Sequence, residues 1–235
     1  MRVGLTAAAL LALAACRAET AAAPVAKPVL YVLTSLPLLF DEGFGIAPAN
    51  GEAAVFLREH YRIKPIDLPS QLPPGATLLA AQPRALPAAE LVALDAWVRR
   101  GGRLVLLADP MLEWPSKRAF GDRLRPPVAY ADTGLLAHWG LRLDAPDERG
   151  LKTVRSGDLE TTFLSPGKFA KVGGNCRLDG QDVVAVCTLE KGRAIIFADA
   201  DWLDVEAIKA SGRHPRDNLF SLAVVLSALG VTANL

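Results

Sequence analysis

Cysteine is scarce in this 235-residue chain, with three in all. No CxxC pair or Cys/His set accompanies them, so a zinc site would be left with incomplete coordination. An excess of either charge is also missing. The 26 basic residues face 25 acidic ones, for a formal net charge of +1. No basic block or tail points to nucleic acid as a partner. No apolar run reaches the ~20 residues of a membrane-spanning helix. Neither G-x-S-x-G nor G-x-C-x-G occurs, so no nucleophile stands on the strained strand-to-helix turn that such motifs build. His60, His138 and His214 have no sequence link to a nucleophile. No internal repeat is present. What is abundant is apolar character, at 51%, enough for the core of one α/β domain.

The first 15 residues read as an export signal. Met1-Arg2 is a minimal positive start, and residues 3–15 form an apolar run too short to span a bilayer. The run ends in Leu13-Ala14-Ala15-Cys16, which resembles a bacterial lipobox. In that motif the cysteine is acylated and becomes the new N-terminus, and its lipid chains anchor the protein to a membrane. An ordinary secretory signal and a buried cytoplasmic first helix are the alternatives. Loss of residues 1–15 removes Arg2 and leaves the mature chain near neutral. Residues 16–27 read as a small, polar tether, and residues 28–235 as the folded domain. With Cys16 lipidated, Cys176 and Cys187 remain as an even pair. In an oxidising compartment such a pair suggests a disulfide; two buried free thiols are the alternative.

The segment 86–110 defines the fold class. Pro87 suits a first helical turn. Leu91, Leu94 and Val98 recur at helical spacing beside Trp97. Arg99 and Arg100 fall where positive charge meets the helix dipole favourably. Gly101-Gly102 offers a left-handed helix stop. Residues 104–108 then form a continuous apolar run, as in a strand covered on both faces. Further strands are expected over 28–34, 76–81, 141–143, 161–164, 182–189 and 193–198, with an edge segment over 62–68. Helices are expected over 51–61, 133–139 and 219–229, with Asn50 and Asp132 capping the first two and Asp217 placed as a cap for the third. Residues 111–131 read as loop. Glu190-Lys191-Gly192 makes the last two strands an antiparallel hairpin. The expected fold is a doubly wound, mostly parallel α/β sheet with that C-terminal hairpin.

Three phrases carry a family resemblance: LPAAELVALDAWVRRGGRLVLLADP, GLLAHWGLRLD and KGRAIIFADADWL, the last followed by Asp217-Asn218. Together they resemble the auxiliary domains of uncharacterised ABC-type transport systems, including the gliding-motility type. The resemblance implies a class I glutamine amidotransferase-like fold. It also implies an extracytoplasmic place in a transport assembly and no established enzymatic activity. The larger gliding-type proteins carry transmembrane segments, whereas this chain is expected to have only the lipid on Cys16. The implied partners are the membrane, through that lipid, and a permease/ATPase complex.

If the sheet is doubly wound, the carboxyl ends of its strands share one rim, where ligands favour the switch point. Thr34, Ser35, Gln82, Asp109, Asp199 and Asp201 would gather there as a candidate ligand rim. The aspartates suit a cation, a hydroxylated ligand or acid–base work. Equally, Asp at a strand end caps the next turn. Together with the export signal, the resemblance implies a non-catalytic binding or scaffolding subunit in the bacterial envelope, without cofactor or metal. A hydrolase or ligand-binding protein using the aspartate rim is the alternative.

Overall fold

The structure is a computed structural model that describes residues 26–43, 47–212 and 216–233. The expected signal peptide, the lipidated Cys16, most of the tether and His214 lie outside the described residues. No described helix is long and apolar enough to cross a membrane.

The chain enters through strand β1 (Val29–Thr34), helix α1 (Glu52–His60) and strand β2 (Arg62–Pro65). Strand β3 (Thr77–Ala81), helix α2 (Ala88–Arg99) and strand β4 (Arg103–Leu107) follow. After a long connection come α3 (Leu135–His138) and β5 (Leu141–Asp144). Next are β6 (Leu151–Ser156), β7 (Leu159–Leu164), β8 (Lys168–Lys171) and β9 (Cys176–Asp179). The chain closes with β10 (Val184–Leu189), β11 (Gly192–Phe197), α4 (Val205–Ala210) and α5 (Arg216–Ala228).

Seven strands form one sheet in the order β2-β1-β3-β4-β11-β10-β9. β2, β1, β3, β4 and β11 run parallel, and β10 and β9 add on antiparallel. β3 is buried along its whole length, and β4 from Leu104 onward, as expected of strands sandwiched between helices. β2 carries Pro65 and lies at the edge, where a missing ladder donor does no harm. The connections β1–α1–β2 and β3–α2–β4 step outward in opposite directions. Right-handed crossovers therefore put α1 and α2 on opposite faces. Two small antiparallel pairs, β5 with β8 and β6 with β7, pack outside the main sheet.

Helix α2 stops as the glycines dictate. Gly101 takes φ +108 and its N–H donates to Val98 O at 2.8 Å, while Gly102 N–H donates to Trp97 O at 3.0 Å. This is the Schellman pair of bonds, and it satisfies two of the last helical carbonyls. The β10–β11 hairpin turns on Glu190-Lys191, with Glu190 at φ +52. Cys176 and Cys187 face each other across β9 and β10 and form the disulfide.

Several expectations needed revision. Asn50 does not cap α1: Gly51 holds that position, and the first helical N–H, from Glu52, is met by Glu206 Oε1 at 2.7 Å. Asp132 does serve α3, accepting from Gly134 N–H and Leu136 N–H. Asp217 lies inside α5. Strands β6, β8 and β9 and helix α4 fall outside the expected elements. β6 buries only Val154, with Leu151 and Arg155 exposed and Lys152, Thr153 and Ser156 half-buried, too little apolar pattern to mark a strand by itself. Helix α4 is six residues long, opened by Asp204, whose Oδ1 accepts from Ala207 N–H at 3.0 Å.

Candidate functional site

The chain moves from β1 out to β2 and returns to β3 on the other side of β1, so the topological switch point lies between the ends of β1 and β3. Ligands of doubly wound sheets favour that place. Thr34 and Ser35 stand there and border a cavity of about 310 Å³, together with Phe40, Asp67, Arg84 and Arg118. Both hydroxyls are engaged with the neighbouring strand end. Thr34 Oγ1 donates to Ala81 O at 2.9 Å and Ser35 Oγ donates to Gln82 O at 2.5 Å.

The other four expected rim residues do not line this cavity. Gln82, Asp109, Asp199 and Asp201 each have 0% exposure. Gln82 adopts φ +43 and turns its amide onto the end of β4. Its Oε1 accepts from Asp109 N–H at 2.9 Å, and its Nε2 donates to Asp109 O and Pro127 O, each at 3.1 Å. Both ends of the amide are therefore satisfied by main chain.

The three aspartates fasten the chain where β4, β7 and β11 end. Asp109 accepts from Met111 N–H at 2.7 Å and Ala200 N–H at 2.9 Å. Asp199 accepts from Trp202 N–H at 2.9 Å and Leu164 N–H at 2.8 Å. Asp201 Oδ2 accepts from Glu113 N–H at 2.6 Å. The connection after β4 is thereby drawn down over the strand ends. Glu113 adds a further tie, accepting from Ser165 Oγ at 2.5 Å. From the other side, Glu42 accepts from Ser116 Oγ at 2.6 Å and Lys117 N–H at 2.7 Å.

Burial raises the proton affinity of all three carboxylates, and the charge of a neighbouring aspartate adds to it at Asp199 and Asp201. Burial pushes Asp109 up despite its backbone donors. Burial, then the charges of Asp109 and Asp201, push Asp199 well above the usual carboxylate range. Burial, then Asp109, lift Asp201 to about 8. Asp201 Oδ1 is buried with no ordinary donor to meet it, and the Asp109 carboxyl is within hydrogen-bonding reach. A protonated Asp201 turns that orphan acceptor into a donor toward Asp109. The pair titrates as a unit. Among the described residues, no group of three or more His, Cys, Asp or Glu is arranged to hold a metal ion.

Sequence reasoning missed Asn218. It is fully buried on α5 and mimics a strand edge. Its Oδ1 accepts from Thr162 N–H at 2.9 Å, and its Nδ2 donates to Thr162 O at 2.8 Å and Trp202 O at 2.7 Å. Position alone marked it, directly after Asp217 at the head of an apolar helix.

The family model of an ABC-type uncharacterized transport system matches residues 27–147, just over half of the chain. The chain belongs to this family. The part shared with the transport-system family runs from β1 through β5. It contains Thr34, Ser35, Gln82 and Asp109, and ends before Asp199 and Asp201. No curated protein matches the chain. Among solved structures, the exo-β-1,4-mannosidase Op5Man5 from Opitutaceae bacterium strain TAV5 is similar at TM-score 0.52 and 14% identity. The match covers 84% of this chain and 36% of the mannosidase, so the chain spans about a third of that protein's length. The cytoplasmic protein STM1381 from Salmonella typhimurium LT2 gives TM-score 0.48 and 14% identity, covering 85% of this chain and 98% of that one. At these identities the mannosidase likeness speaks to fold alone.

Proposed function

We propose that this chain is a lipid-anchored, extracytoplasmic and non-catalytic auxiliary subunit of its ABC-type transport system. The observation that carries the reading is the family match over residues 27–147. The closed state of the strand-end cluster supports it. Asp109, Asp199 and Asp201 are each held by backbone N–H groups at zero exposure, and a general acid or base needs to reach its substrate. The sheet order and the helices on both faces support a relationship to the glutamine amidotransferase-like fold. In that reading Ala108-Asp109-Pro110 stands where a related enzyme would carry its nucleophile, and Asp109 is used there as a fastening.

The anchor rests on Leu13-Ala14-Ala15-Cys16. Labelling with radioactive palmitate tests it: the label is expected on the native chain and lost in Cys16→Ser, and label that persists in the variant contradicts the lipid. In this reading the partner is the permease of the transport system, met from the extracytoplasmic side, with the ATPase bound to that permease. Cross-linking in membranes followed by capture of this chain is expected to recover both.

A further inference from the structure

Between β7, α5 and the far end of the main sheet the packing leaves a cavity of about 170 Å³. Its floor is one face of the sheet, from Val184, Val186, Ile195 and Phe197. Its roof comes from Phe163 of β7 and Val225 of α5. All six are apolar, and the two hydroxyls that also border the space, on Thr161 and Ser221, are joined to each other at 2.8 Å, so water gains few partners inside, and a mostly apolar cavity of this kind accepts hydrocarbon. An engineered cavity of about 150 Å³ with a Leu/Ile/Phe lining takes up benzene. At ~30 Å³ for a group the size of a water molecule, the space accommodates a chain of about six carbons.

The mouth is chemically different. Arg177, Asp179 and Ser156 border it. Asp179 is already committed: it accepts from Arg177 Nη1 at 2.8 Å and Gly180 N–H at 2.7 Å, and Ser156 hydrogen-bonds it as well. The exposed Arg177 guanidinium has five N–H donors to offer and gives one to Asp179. An apolar chamber with a guanidinium at its entrance is complementary to one kind of molecule, an alkyl chain ending in an anionic head. We propose that this cavity binds the acyl chain of a medium-chain carboxylate, with about six carbons inside and the carboxylate at Arg177. The site is separate from the switch-point cavity and from the three aspartates, and lies outside the span that the family model matches.

A calorimetric titration of the full chain with the linear carboxylates from butanoate to decanoate tests this. Each methylene is expected to strengthen binding roughly fourfold, the equivalent of ~0.8 kcal/mol per buried CH₂, until about six carbons are inside, after which affinity levels off. Val225→Phe and Val186→Phe each fill the chamber and are expected to weaken octanoate at least tenfold while the melting temperature holds. Two filling variants are used so that poor folding of one leaves the other to decide. Arg177→Gln is expected to weaken octanoate about fivefold and leave 1-octanol unchanged. Affinity that ignores chain length, or octanoate binding that survives both filling variants, overturns the site. An Arg177→Gln variant that weakens octanoate and octanol alike overturns the role of the guanidinium.

Discussion

Three carboxylates buried together cannot all ionise cheaply, and the consequence is measurable at Asp201. Its folded-state value is lifted to about 8, against ~3.9 for an unfolded Asp. The folded state therefore binds the proton more tightly. Its contribution is fully present below the unfolded value and is lost as pH rises toward 8. Within that window the stability contribution falls by up to ~1.4 kcal/mol per pH unit for each proton so held. Thermal melts between pH 5 and pH 8 should show the midpoint dropping, and Asp201→Asn should flatten the profile; an unchanged slope in the variant would exclude this assignment. Asn218 supplies a second test. Its removal strands the N–H and C=O of Thr162 and the C=O of Trp202. Buried polar groups left unpaired cost ~1–3 kcal/mol each, so with three groups stranded Asn218→Ala should lower stability in urea by about 3 kcal/mol or more. A loss under about 0.5 kcal/mol would mean that water replaces the amide.

Among the elements, helix α2 and the β10–β11 hairpin meet at Gly192. A Cβ there would sit 1.8 Å from Val98 O and 2.6 Å from Gly102 O. Gly192→Ala should therefore push β11 off the helix end, with the ~1–3 kcal/mol or more typical of overpacking, read from the urea midpoint. The disulfide closes a short span, with a sequence separation of 11. Chain-entropy arguments assign such a loop about 2–3 kcal/mol, so reductant should lower stability by that amount without unfolding the domain. The segment from α2 to β4 was legible because every local signal agrees: helical spacing at Leu94 and Val98, two glycines that can stop the helix, then an unbroken apolar strand. The β6–β7 hairpin had a signal too, since Gly157-Asp158 is a turn pair and Gly157 takes φ +59. It was hidden by Lys152 and Arg155, which make β6 polar. The candidate site was half legible. Strand-end logic placed all six residues at the carboxyl ends of the strands, but only Thr34 and Ser35 border the switch-point cavity, and burial of the other four depends on the loop after β4 folding down. Its ties include the backbone N–H groups of Met111 and Glu113, and a main-chain donor leaves no trace in side-chain chemistry.

For the whole molecule, the family match ends inside the fold, after β5. The shared half supplies the switch point and most of the parallel sheet. The remainder adds β11, the antiparallel strands, the disulfide and the apolar cavity. The matched span and the apolar cavity therefore occupy different parts of the chain. This separates the two proposals experimentally, since filling the cavity should leave assembly with the transport system intact. The most direct measurement is cross-linking in native membranes followed by capture of the full-length chain and identification of what comes with it. The account predicts co-recovery of a transporter permease and its ATPase. Recovery of the chain alone from membranes that contain both proteins would contradict it.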